Sequence, residues 1–246
     1  MNIKNILLAS VLAAGCMSVS AQQNVKNMKT AVVFEPHWYI QVQAGMQHTT
    51  GEIEWKDLNS FNCQLTGGYQ MTPVWGMRLA VNAFQSKAGA KVEGYEFDNT
   101  IGQPVLVNTN TYKWDWKYVA PTVDVMFNFT NYIWGYEPDR VVDVNVFAGL
   151  GVNVGWGNDD ANTAAQKIEA DPYTANQGNQ AISRVWDSSN AFFVGQWGAD
   201  IDFRINDVIS LGIEAQWNAV CDRYNSKGSK SADNYFNALA GIKFNL

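Results

Sequence analysis

Two histidines, His37 and His48, are all the imidazole this 246-residue chain has. That sharply limits acid–base chemistry. His48 is followed by Asp57 and Ser60, so a hydrolytic or acyl-transfer arrangement of His48 with a nearby serine or aspartate can be drawn. No third residue at a telling spacing joins them, and the expectation is no catalytic residue and no enzyme. Asp159 and Asp160 are adjacent but lack the ordered oxygen spacing of a calcium loop, so no metal and no cofactor is expected. Of three cysteines, Cys16, Cys63 and Cys221, the latter two are too few for a disulfide framework or a metal site and read as free thiols.

The chemistry with more structure to it is ionic. Arg78, Asp124, Asp200, Glu214 and Lys243 each stand inside a segment that is otherwise nearly free of charge. What positions them is a period-two alternation that repeats eight times. Trp38, Ile40, Val42, Ala44 and Met46 oppose Tyr39, Gln41, Gln43, Gly45 and Gln47. The same rhythm runs through residues 61–71, 75–84, 118–129, 142–156, 192–203, 209–218 and 235–246. Each segment has about the nine to eleven residues that a tilted strand needs to cross hydrocarbon.

Connections alternate in length: 49–60, 72–74, 86–113, 130–140, 157–190, 206–207 and 221–234. Short periplasmic turns and long outer loops produce this alternation in outer-membrane barrels. A lipocalin or a sandwich also has alternating strands, but its water-facing set would carry more charge. Here the polar set is Gly, Gln and Asn, and only 16% of the chain is charged. Trp38 and Trp75 fall near one end of the strands, and Trp156, Trp217 and Phe236 near the other. That placement makes two aromatic girdles. The fold class expected is therefore all-β, an eight-stranded antiparallel up-and-down transmembrane β-barrel, closed because an open edge cannot be satisfied in lipid. Pro121, on the apolar face of its strand, suggests a local bulge.

Residues 1–21 are expected to be a signal peptide. Lys4 precedes the apolar run from Ile6 to Ala14, and Val19-Ser20-Ala21 offers a cleavage site. A rival reading takes Leu12-Ala13-Ala14-Gly15-Cys16 as a lipoprotein box with lipid on Cys16, although Ala13 stands where Leu is preferred. Residues 22–36 then form a periplasmic N-terminal segment and 37–246 the barrel. Cleavage leaves 16 basic and 23 acidic residues, a formal charge of −7. This balance excludes nucleic acid as a partner held through its phosphates.

The segments GYQMTPVWGMRLAV (68–81), YKWDWKYVAPTVDVMFNF (112–129) and VVDVNVFAGLGVN (141–153) resemble the OmpA-like outer-membrane β-barrel family. The final strand, YFNALAGIKFNL, resembles the signal read by the barrel-assembly machinery, with Phe236, Phe244 and Leu246 as its apolar positions. It departs from the common pattern by ending in Leu246, with Phe244 two positions earlier. The resemblance implies an outer-membrane location among lipid and lipopolysaccharide. Many members carry a peptidoglycan-binding domain after the barrel; with the last strand ending at Leu246, the expectation is the barrel alone.

Strand phase turns Arg78, Asp124, Asp200, Glu214 and Lys243 into the lumen. They are expected to form a plug of ion pairs, with Asp200, Glu214 and Lys243 in contact because they sit on consecutive strands. Phe84, Tyr118, Phe147, Phe192 and Tyr235 are expected to line the outer half of the lumen, filling space. The functional reading is a non-enzymatic envelope scaffold that displays long loops, 86–113 and 157–190 above all, to an extracellular partner. Competing readings are a binder or transporter of a small apolar ligand in the barrel mouth, and a lipid-modifying enzyme using His48.

Overall fold

The computed structural model describes residues 33–174, 181–182, 185–186, 188–227 and 232–246. Residues 1–21 with Cys16, and most of the segment 22–36, lie outside them. Eight strands form one closed antiparallel ring in sequence order. They are β1 (His37–Thr49), β2 (Asn59–Gln70), β3 (Trp75–Asp98), β4 (Gln103–Asn128), β5 (Val142–Trp156), β6 (Ser189–Arg204), β7 (Ile209–Val220) and β8 (Asp233–Asn245). The ring closes where β8 pairs with β1, from Tyr39 opposite Asn245 to Thr49 opposite Tyr235.

Polarity is inverted relative to a protein that folds around an oily core. Gln41, Gln43, Gln64, Asn82, Gln216 and Asn237 are buried in the lumen, while Trp38, Phe61, Leu65, Leu79, Val123, Leu150 and Phe193 stand exposed on the outside. Period-two alternation does this directly, since neighbouring side chains on a strand point to opposite faces. Trp38 and Trp75 lie exposed toward the short-turn end, and Trp156, Trp217 and Phe236 toward the other.

Three local features matter. Residues 86–113, a long connection whose aromatic-rich part within 95–118 was expected to extend strands above the membrane, are indeed strand almost throughout: β3 and β4 run on for 24 and 26 residues and pair with each other as far as Asp98 opposite Gln103. Beyond Phe84 on β3 and Lys117 on β4 they have left their other neighbours, so a two-stranded hairpin, roughly 45 Å long along its strands at strand rise, continues past those pairings. Its tip turns at Gly102, whose φ of 67° suits a residue without Cβ. The bulge falls at Gly94/Tyr95 rather than at Pro121. At Pro121 the β4–β5 ladder merely skips from Val119–Val154 to Thr122–Gly151 in unchanged register, because proline has no N–H to give.

Phe84 is the third. It was expected in the lumen but is half exposed and meets Phe61 edge-on at 5.8 Å, on the outer face. Backbone φ at Phe84 swings to 157°, which rotates this one side chain out of the pleat. The flanking Asn82 and Ser86 stay buried inside.

Two α-helices and a 3-10 turn (Trp55–Leu58) stand out in the connections. The first, α1 (Phe129–Trp134), occupies the longest of the short-turn connections. Asn128 caps it by accepting from Asn131 N at 2.6 Å. The second, α2 (Asp159–Ala170), lies in the segment 157–190 and packs on β4.

Candidate functional site

Lumenal chemistry centres on Arg78. Its Nε donates to Asp124 Oδ2 at 2.8 Å, and its Nη1 and Nη2 donate to Glu214 Oε2 and Oε1 at 3.0 and 2.6 Å. All three side chains have no solvent exposure. The Phe147 ring lies under the guanidinium, 3.9 Å from centroid to Cζ, so Phe147 supports the ion cluster in addition to filling space. Amides add to this: Gln196 donates to Asp124 Oδ2 at 3.1 Å, and Gln216 to Glu214 Oε1 at 2.7 Å. A fork of three charge-assisted bonds in a dry setting holds its partners in one geometry.

The sequence reading put Asp200, Glu214 and Lys243 together. Asp200 and Glu214 do stand directly opposite each other, but the ion pairs run elsewhere. Glu214 turns to Arg78, and Lys243 Nζ instead donates to Asp202 Oδ2 at 2.6 Å. Asp202 lies two strands from Lys243, and the intervening β7 presents only Ser210 and Gly212 at that level. Small residues there leave Lys243 a clear path to β6. Asp200 accepts only a long bond from Asn145, at 3.4 Å. Asp202 was legible as an inward position but was passed over.

Above Arg78 an amide ladder climbs the lumen, from Gln64 and Gln216 at 2.6 Å through Asn237 to Asn82, and by way of the Tyr118 hydroxyl to Gln47 and Ser86. The Tyr118 hydroxyl sits 2.5 Å from both Gln47 Oε1 and Asn82 Oδ1, one of which takes its single proton. Higher still, Phe192 and Tyr235 pack with Trp116, Trp186 and Tyr224. This aromatic layer is continuous with a core formed by Ala88, Ala90, Val92 and Trp114 of the hairpin against Ala161, Ala164 and Ile168 of α2. The long connections thus condense into a packed cap over one mouth of the ring. Burial pushes the phenol of Tyr224, in the turn after β7, up to about 12. Trp116, Trp186 and Tyr224 were missed because only the folded cap brings them to the lumenal aromatics.

The opposite mouth holds a polar cavity of about 130 Å³, lined among others by His37, Asn128, Asp143, Asn145, Asp202 and Lys243. His48 does not meet a nucleophile. Its Nδ1 lies 2.9 Å from Asn59 Oδ1, and its ring stacks on Trp55. Ser60 faces inward and donates to Gln85 O, and Asp57 pairs with Lys113 at 2.7 Å. Cys63 and Cys221 are free thiols. Among the described residues no group of three or more His, Cys, Asp and Glu side chains is placed to hold a metal. On β8, Phe236 is opposite Trp217 and His48, and Phe244 is opposite Ile40 and Ile209. Leu246 N closes the barrel edge by donating to Trp38 O at 2.9 Å.

No protein-family model matches the chain. It is similar to outer membrane protein 40 of Porphyromonas gingivalis, at 25% identity over the whole chain, and spans 58% of the length of that relative. Among solved structures it is similar to Neisserial surface protein A, with a TM-score of 0.48 and 8% identity over 86% of this chain and 99% of that one. It is also similar to Ail, the attachment invasion locus protein of Yersinia pestis, with a TM-score of 0.44 and 14% identity over 87% of this chain and all of that one. The β-barrel domain of Pseudomonas aeruginosa OprF gives 0.42 and 10%, over 86% of this chain and all of that domain.

Proposed function

We propose that this chain is an outer-membrane β-barrel that conducts little and serves as a rigid scaffold, presenting one packed cap to the cell exterior for surface interaction. Its apolar outer face needs hydrocarbon around it, since a soluble monomer rarely exposes so continuous an apolar surface. The closed ring meets the requirement that every backbone group be paired in lipid, and two aromatic girdles suit the two interfaces. The relative named for the outer membrane supports the same location. Long connections then face outward and short turns face the periplasm. Lipid, lipopolysaccharide and the barrel-assembly machinery are the partners this placement implies.

One observation carries the scaffold reading: the core shared by the hairpin, α2 and the barrel mouth. A hairpin held this way is displayed with little entropic cost on binding. Its tip exposes Tyr95, Phe97, Ile101 and Leu106, which is contact surface of the kind that anchors interfaces. The same core argues against an apolar ligand in that mouth, because the aromatics that would line a pocket are packed on each other. Replacing Phe97 and Leu106 with Ser tests this. Adhesion or surface binding by cells displaying the protein should fall while the barrel still assembles. Undiminished binding would remove the hairpin from the interaction.

A further inference from the structure

Below the Arg78 cluster, two cationic side chains, Arg78 and Lys243, share the lumen with four carboxylates, Asp124, Asp200, Asp202 and Glu214. Each uncompensated ion in such a setting costs several kcal/mol, so the excess negative charge needs a partner. Its location is marked by orphaned atoms. Asn145 Nδ2 reaches Oδ2 of both Asp200 and Asp202 at 3.4 Å, and Lys243 takes Asp202 Oδ2 as well. Asp200 Oδ1 and Asp202 Oδ1 are left buried with no hydrogen-bond partner, and so is Gln41 Nε2.

These three atoms converge from β1 and β6 on the bare face of Gly212. The point where a Cβ would stand on Gly212 is 2.5 Å from Gln41 Nε2, 3.3 Å from Asp202 Oδ1 and 3.5 Å from Asp200 Oδ1. Gln41 is 1% exposed, and a half-turn of its terminal torsion brings the amide oxygen to the same point. Asp202 also lines the polar cavity at the short-turn mouth, which supplies both a way in and room for water.

We propose that Asp200 Oδ1, Asp202 Oδ1 and the Gln41 amide oxygen bind a hard, oxygen-seeking cation, sodium or calcium, over Gly212. Three protein oxygens plus water from the cavity form a partial shell of the kind such ions accept. The ion offsets charge that Lys243 alone leaves unbalanced. Gly212 is required because any side chain would occupy the site.

The test is the thermal unfolding midpoint of the purified, detergent-held barrel at constant ionic strength, with choline chloride exchanged for sodium or calcium chloride. At tenfold over the dissociation constant, the binding cation should raise the midpoint by about 3–6 °C. The sodium and calcium arms identify which ion it is. Asp200→Ala removes a ligand and a charge, and Gly212→Ala blocks the site without changing charge; both should still form barrels, and neither should show the rise. Equal midpoints in choline, sodium and calcium would overturn the proposal, leaving a buried water or proton as the occupant. A rise that survives in either variant would overturn it equally.

Discussion

Arg78 and Glu214 face each other across the full width of the barrel, on β3 and β7, which stand four strands apart in either direction round the ring. Their 2.6 Å contact ties opposite walls together at a level where the side chains are fully buried. With Asp124 it makes a strut across the lumen.

Removing half of that strut should be costly. Glu214→Ala leaves Arg78 with Asp124 alone, and breaking a buried pair from one side costs about 3–5 kcal/mol. Urea unfolding in lipid should register a loss of that order. Replacing Arg78, Asp124 and Glu214 together with apolar residues of matched volume should cost far less, because no charge is then stranded.

The cap should behave as folded structure. Every second amide of residues 85–98 and 103–117, the set directed across the hairpin, should exchange slowly, since β3 and β4 pair throughout that stretch. Rapid exchange there would mean that the hairpin is a loop after all.

Inside that cap, Phe192→Ala should open a cavity in the aromatic layer and cost about 3–5 kcal/mol. Phe84→Ala should cost much less, because its ring stands outside the lumen. Chemical unfolding of the two variants side by side checks the reversal of Phe84.

Alkaline pH should loosen the same region. The phenol of Tyr224 ionises near 10 when unfolded and near 12 when folded, so folding favours its neutral form. Its contribution is complete below pH 10 and is lost as pH rises through 12. Tryptophan fluorescence should report the change, since Trp186 donates to Tyr224 O at 3.3 Å. Tyr224→Phe should move that alkaline transition upward; an unmoved transition would assign it to another group.

Assembly should depend on the closing strand. Phe244→Asp places a charge between Ile40 and Ile209 and should reduce the fraction of compact, heat-modifiable barrel in the membrane and increase its periplasmic degradation. Assembly at the level of the unaltered protein would show that Phe244 is not part of the signal.

Strand number, order and facing were legible because a period of two leaves no choice of face, and one buried side pins the register. The inward placement of Arg78, Asp124, Asp200, Glu214 and Lys243 followed from that phase alone. Who pairs with whom did not. Contacts across a lumen depend on strand tilt and stagger, so Arg78 could not be matched to Glu214 from neighbouring strands, and Lys243 passed over Gly212 to Asp202. Phe84 escaped because a single backbone torsion reverses its face without disturbing the alternation on either side. The cap escaped because its core joins residues as distant as Ala88, Ile168 and Tyr224, which no local pattern connects.

Conductance in a planar bilayer tests the closed-scaffold account most directly. The Arg78 strut and the cap each block the lumen, so the purified protein should show little or no steady current. Glu214→Ala should raise brief leakage by removing the strut while the cap remains. A large, stable open channel in the unaltered protein would contradict the account and make the barrel a pore.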